Sequence, residues 1–503
     1  MEMDRRALLA GAGAAALMPG VAKAQPDPVP ARAKIAAAAE ADKPNSVRRL
    51  QDWIRNPGIA AEKFQMQEAC DFTMGMLRDA GFQTVEKVPT SGEPGIFATL
   101  DAGAKRTMGI YFMYDVKQVT PSEWSTLPFD AAIIDKPGWG LVVQGRGAVN
   151  QKGPQTAFLG ALHAMKAAGQ KLPVNLVLVA EGEEEIASPN FHEIVAKPHV
   201  LKALKRCEGI IIPSAWQDRN GSVNINLGAK GPLEFQLISS GERWGRGPKG
   251  DIHSSFHAMV DSPVWRLVKA LDTLVAEDGH TPAIDGWFDN VRPLSARERE
   301  LIRLNAAAST EADVKAAFGV KRWINDEPWE QALERLASQP TVNIQGLVSG
   351  YTGPGGKTVL PGRAEAKLEC RLVPNQTKKE AEEKLRAHLK KRGFDDIEVV
   401  VSGGYDPTET AEDARVIRAQ KAVYDRYGAK ATLNPRLAGS WPGSVFTQPP
   451  VAIPAGQFGL GHGSGAHAPN EYFVIDSSNP KVQGLVGATM GFVDFLHEMA
   501  RVG

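Results

Sequence analysis

The stretch Thr107-Met-Gly-Ile-Tyr-Phe-Met-Tyr-Asp-Val116 decides the fold class. It is dense in apolar and β-forming side chains and carries no charge before Asp115, the pattern of a strand buried on both faces. Outward from it, residues 154–168 read as a helix closed by Gly169, and residues 174–180 as a second buried strand. Upstream, residues 62–80 have helical apolar spacing and end at Gly81. Buried strands alternating with helices predict an α/β domain with a largely parallel sheet. No repeat with a period of roughly 20–50 residues is visible, which excludes a solenoid.

The pattern changes near Gly228. Residues 233–239 read as a strand, and 262–276 as a helix with Ser262 as its cap and Pro263 in its first turn. Residues 341–348 and 363–372 are strands of alternating polarity, 378–391 is a charged helix with a solvated face, and 397–402 is a last strand. The order βαββαβ predicts a ferredoxin-like unit, antiparallel and partly exposed, carrying an insertion at about 277–340. From Asp413 the α/β pattern returns through 416–427 and 482–499. The expected architecture is an α/β domain at 46–227 and 403–503, interrupted by a small domain at 228–402.

Composition narrows the function. The chain has 503 residues, 43% hydrophobic, with 58 Lys+Arg against 58 Asp+Glu. This length suggests two or more domains, and zero net charge gives no footprint for nucleic acid. Three distant cysteines (Cys70, Cys207, Cys370) exclude a disulfide framework and a zinc ribbon. Arg5-Arg6, an apolar run from Ala7 to Val21 and Ala22-Lys23-Ala24 read as a twin-arginine-like export signal over 1–24, cleaved near Ala24. The run is too short for a membrane span. Residues 25–45 read as a tether, and the mature chain is expected in the periplasm.

Five stretches carry the chemistry: Phe112-Met-Tyr-Asp-Val116, Gly145-Arg-Gly-Ala-Val-Asn-Gln-Lys-Gly153, Glu181-Gly-Glu-Glu-Glu-Ile-Ala-Ser-Pro189, Asp251-Ile-His-Ser254 and Ala466-His-Ala-Pro-Asn-Glu471. In order and spacing they resemble the M20 family of metallopeptidases and amidohydrolases, over residues 45–503. The resemblance implies a zinc-peptidase-like catalytic domain with an inserted lid and dimerisation domain. It also implies two zinc ions bridged by a carboxylate, a Glu that activates water, and a homodimer with two-fold symmetry.

Carried over residue by residue, the resemblance gives Glu184 as general base and Asp115 as the orienting carboxylate. Glu185 and His467 fall on metal ligands, while Met113, Asn150 and Ser214 stand where three further ligands are expected. His253 falls on a residue that stabilises the oxyanion from a partner subunit. Arg371, in Arg371-Leu-Val-Pro374, matches the grip on the substrate carboxylate, supported by Gly439 and Ser440, and Lys152 joins the substrate-binding set. Two divalent ions about 3.5–4 Å apart repel by roughly 19 kcal/mol at an effective dielectric of about 20. Neutral Asn150 does not offset that repulsion, and the soft Met113 thioether suits zinc poorly beside oxygen ligands. The expected site is therefore metal-free, or holds at most one weak divalent ion on Glu185, His467 and Asp115.

Plainer readings stand beside these. Met113 also suits packing at a strand end, the 181–185 acidic run suits a solvated loop, and His257 and His462 suit surface or packing roles. Three functions remain open from the sequence. One is a periplasmic hydrolase of an amide bond in a small or short-peptide substrate bearing a carboxylate. The others are a non-catalytic carboxylate-binding protein, and a different base-initiated reaction such as elimination or ring opening.

Overall fold

In the computed structural model, which describes residues 29–502, the Thr107–Met113 strand is buried along its whole length. It runs parallel to Asn175–Glu181 on one side and to Cys207–Pro213 on the other. The full sheet has the order Thr84–Val88, Gly95–Leu100, Asn175–Glu181, Thr107–Met113, Cys207–Pro213, Ala455–Phe458. The first two strands join antiparallel and the last parallel. The expected largely parallel core is present, with an antiparallel hairpin added at one edge. The export signal expected at 1–24 lies outside the described residues.

Helices cover both faces. On one, Gly153–Ala167 packs between Arg32–Arg55 and Leu485–Arg501. Its Phe158 ring meets Phe112 of the sheet at 5.9 Å and Phe492 at 5.6 Å, both edge-on. Burying a Phe of this kind stabilises by about 1.5–3 kcal/mol, which ties the crossover helix to the strand before it. On the other face Tyr111 packs on Phe191 and Phe446.

The tether expected at 25–45 is corrected from residue 32 onward. Arg32–Arg55 is one helix, with Ile35, Ala39, Leu50 and Trp53 buried on a single stripe. The alanine run that suggested a linker is the composition with the highest helix propensity. Arg32 then fastens the helix to buried Asp494 at 2.9 Å. The helix expected at 62–80 also starts later, at Met66–Asp79, because Lys63 and Gln65 hold positive φ.

The inserted domain has strand order Thr341–Ser349, Arg363–Leu372, Gly231–Ser240, Glu398–Gly404, every neighbour antiparallel. This is the expected ferredoxin-like unit. Pro263–Asp272 and Lys378–Lys391 cover one face, packing Leu267, Leu271 and Leu385 on Leu233, Phe235 and Leu368. The Ser262 hydroxyl accepts the Trp265 N–H at 3.4 Å, as its cap position predicts. The two crossings between domains, Gly228–Ala229 and Thr408–Glu409, pair antiparallel, so the unit ends a few residues later than 402. The 277–340 insertion folds mainly as the helices Ala296–Ala308, Glu311–Phe318 and Trp329–Ser338. It docks on the first domain: Arg436 donates to the Ala337 carbonyl at 2.6 Å and Asn305 to the Leu433 carbonyl at 3.0 Å. No described helix is long and apolar enough to cross a membrane.

A second antiparallel sheet was not legible in the sequence. It has the order Gly463–Ser464, Tyr472–Ser477, Gly140–Gln144, Ala132–Lys136. Its importance is positional, because it brings the loop after Gln144 against the loop before Tyr472.

Candidate active site

Three adjacent strands end at one edge of the large sheet. Just past their C-terminal ends stand Asp115, the pair Glu184 and Glu185, and Ser214. In open α/β sheets, ligands bind in the crevice at this edge. The chain turns there at Gly182, where an added Cβ would lie 2.2 Å from the Tyr114 ring, so only glycine fits.

Asp115 is buried, and its two oxygens accept the backbone N–H groups of Glu184 (3.3 Å) and Glu185 (2.9 Å). It thereby fixes the turn that presents both glutamates. Burial, then the charge of Glu185, push the Asp115 carboxyl up to about 8. Glu184 is half-buried, and burial with the charges of Glu185, Asp115 and Glu181 pushes it well above the usual carboxylate range. Glu185 moves the other way. Burial opposes its charge, but hydrogen bonding and charge from His467 and Lys117 outweigh burial and hold it below the usual range. The environments push the two neighbours apart, which separates a proton-accepting group from a permanently charged one.

The facing loop is shaped by Glu471. Its buried carboxylate accepts the N–H groups of Gly147 (3.0 Å), Val149 (2.9 Å) and Asn150 (2.9 Å), together with Arg146 (2.8 Å). The loop so held aims Asn150 into the site, where its Nδ2 donates to Glu185 Oε1 at 2.6 Å and lies 3.1 Å from His467 Nε2. His467 Nε2 is 3.1 Å from Glu185 Oε2. Lys117 completes the ring around Glu185, with Nζ 3.3 Å from Oε2 and donating to the Glu185 carbonyl.

The lid closes the other side. Arg371 Nη1 donates to Ser440 Oγ at 2.6 Å, which joins the last-named pair across the two domains. Two further donors of Arg371 grip Glu369, Nη2 at 2.9 Å and Nε closer still. Buried Tyr405 lies beside Ser440 and stands in the field of Glu184. The Gly404 N–H donates to the Ala187 carbonyl at 3.1 Å, so the lid's last strand meets the turn that carries Glu184.

A family model for peptidase family M20/M25/M40 matches residues 114–490, more than half of the chain. The chain belongs to peptidase family M20/M25/M40. Among its relatives, the Cys-Gly metallodipeptidase DUG1 of Candida albicans is 27% identical over 463 residues, covering 87% of this chain and 92% of that protein. The Beta-Ala-His dipeptidase of Homo sapiens is 27% identical over 408 residues, covering 78% of this chain and 76% of that protein. Among solved structures, an M20 family metallo-carboxypeptidase from Sulfolobus solfataricus is 32% identical with a TM-score of 0.80, covering 90% of this chain and 99% of that one.

Within this M20/M25/M40 chain the structure brings together Asp115, Glu184, Glu185, Asn150 and His467, and separately Arg371 with Ser440. Gly439 is next to Ser440 in open surroundings, where an added Cβ would meet only the Leu437 side chain, at 3.6 Å. Met113 and Ser214 are buried at their strand ends, and no described hydrogen bond joins the Ser214 side chain to the cluster. His253 is exposed on the lid and bonds Ser255 Oγ at 2.8 Å.

Lys152 is corrected: it is 1% exposed, and its Nζ donates to the carbonyls of Trp53 (2.8 Å) and Asn56 (3.2 Å). The turn at Gly147 points it into the interior, so it ends a helix and does not meet substrate. The sequence reading also gave no role to Glu471, Tyr405 or Lys117. For Lys117 a signal was present, because two residues after Asp115 in an extended segment lies on the same side.

Both oxygens of Asp115 accept backbone amides, and Glu185 accepts Asn150 Nδ2 on one oxygen and has the cation-forming groups of His467 (3.1 Å) and Lys117 (3.3 Å) beside the other. Among the described residues no three His, Cys, Asp or Glu side chains are placed to hold a metal ion. A pair of divalent ions needs acceptors converging on it, and these groups do not fit that need.

Proposed function

We propose that this chain hydrolyses an amide bond, peptide or N-acyl, in a small substrate carrying a free carboxylate, at a site altered from the metal centre of its family. The observation that carries the reading is the meeting of two corners across one cleft. The turn bearing Glu184 touches the lid strand at Ala187–Gly404, and the next residue, Tyr405, lies in the fields of both Glu184 and Arg371, which bonds Ser440. Relatives named as dipeptidases support a substrate of this size.

In this reading Arg371 and Ser440 orient the substrate carboxylate. Glu184 takes a proton from water as the water oxygen adds to the amide carbon, and the carbonyl pair moves onto its oxygen. The pair returns as the C–N bond breaks, and the proton on Glu184 passes to the leaving nitrogen. Asp115 holds the turn, and Met113, Asn150 and Ser214 stand in for three of the ligands that the resemblance implies. The mature chain acts in the periplasm after cleavage near Ala24. It works as a homodimer in which His253 serves the partner's cleft.

The test is release of free amine from a panel of dipeptides and N-acyl amino acids, each paired with its C-terminal amide. Acids should be cleaved with kcat/KM at least about 10-fold above their amides, since an Arg–carboxylate contact is lost. Equal cleavage of acids and amides removes Arg371 from the reading. Tight binding of acids without cleavage transfers it to a binding protein.

A further inference from the structure

We propose that the Lys117 ammonium is the resident cation of this site, standing beside Glu185 in the place of a divalent ion. The inference rests on the hydrolase reading for what the charge is used for, and on geometry alone for where it sits.

The polarity of the site carries it. A metal centre surrounds a cation with acceptors. Here the buried Glu185 carboxylate accepts Asn150 Nδ2 on one oxygen at 2.6 Å, and its other oxygen, which accepts no hydrogen bond, has His467 Nε2 at 3.1 Å and Lys117 Nζ at 3.3 Å as its charged neighbours. Lys117 also donates to the Glu185 carbonyl, which fixes its ammonium at two points on one residue. The acids facing it come from both sides: Glu184 and Asp115 from the sheet edge, and Glu234 from the lid. A buried cluster of carboxylates is costly without a counter-charge beside it. Lys117 is the side chain whose ammonium meets that need.

An ion placed on Glu185 Oε2 would lie in contact with that ammonium, with like charges repelling and no free carboxylate oxygen from Asp115 to offset them. The site is thus closed to divalent ions by its own lysine. During hydrolysis the same charge stands where the carbonyl pair collects as the water oxygen adds, and it needs no dissociable ion.

The test uses zinc alone, so it is independent of any substrate. The mature chain, stripped with chelator, is titrated calorimetrically with Zn²⁺ beside Lys117→Ala, Lys117→Met and Lys117→Arg, with thermal melts to verify folding. Wild type should bind less than one equivalent, more weakly than about 10 µM; Lys117→Arg should match it, and the two neutral variants should bind at least about 10-fold more tightly. Folded neutral variants whose zinc affinity matches wild type would overturn the proposal. So would wild type taking up two equivalents at submicromolar concentration, and that measurement decides the matter even if the variants fail to fold. Failure to cleave any dipeptide would count against the hydrolase reading and leave the titration unaffected.

Discussion

Lys152→Met removes a buried amine that ends the Arg32–Arg55 helix. Its Nζ donates to the carbonyls of Trp53 and Asn56, at 2.8 and 3.2 Å. Met keeps most of the volume but donates nothing, so both carbonyls lose a partner at about 1–3 kcal/mol each. Burial acts against this, lowering the Lys152 ammonium to about 7 despite the charges of Asp115 and Glu471. In the unfolded chain a lysine titrates near about 10.4. Between those values the unfolded state binds more protons than the folded one, so this group makes stability rise with pH, by at most about 1.4 kcal/mol per unit. From pH 6 to pH 9 the wild-type gain is about 2–3 kcal/mol, and the Met variant has none of it. Near pH 9, with the amine neutral and both hydrogen bonds intact, the substitution should cost about 2–6 kcal/mol. At pH 6 it should cost about 2–3 kcal/mol less. Urea unfolding at both pH values reads the difference, provided the slope with denaturant is unchanged. A gap between wild type and variant that ignores pH would refute the burial argument. Unchanged stability with a KM raised about 10-fold would return Lys152 to the substrate site.

Arg371→Ala should raise KM by at least about 10-fold with little change in kcat, because the contact is made alike in ground and transition states. Steady-state kinetics on an acid substrate separates the two constants. Glu471→Gln breaks a buried charge pair with Arg146 and weakens three backbone contacts, and should lower stability by about 3–5 kcal/mol, read from the urea midpoint. Light scattering should give the mass of a dimer. Val348→Lys, on the exposed face of the Thr341–Ser349 strand, should shift the chain toward monomer if that edge is the interface.

The parts of the fold that were legible share a cause: local pattern and final environment agree. Thr107–Met113 reads as doubly buried because it is central in its sheet, and the lid strands alternate because one face is covered and the other wet. The Arg32–Arg55 helix was missed because alanine suits both a linker and a helix, and what decides is Asp494, over four hundred residues away. The same applies to the site. Asp115, Glu184 and His467 lie within contiguous motifs, and the fold brings those motifs to one edge of the sheet. Glu471 acts only through a loop more than three hundred residues distant, and Lys152 was misplaced because sequence neighbours do not reveal the turn at Gly147. Lys117 carries only its spacing from Asp115 as a sequence signal, and Glu185, folded against it, supplies the rest.

Glu184→Gln tests the central claim most directly. The exchange keeps size and removes the basic oxygen, while Asp115 still holds the turn through backbone N–H groups that the substitution leaves in place. Turnover of a cleaved dipeptide and binding of the same compound are measured side by side on wild type and variant. A general base contributes about 10²–10⁴-fold, so kcat should fall at least about 100-fold while affinity changes by less than about 3-fold. A variant that turns over at the wild-type rate would contradict the account, because the proton would then leave water without Glu184.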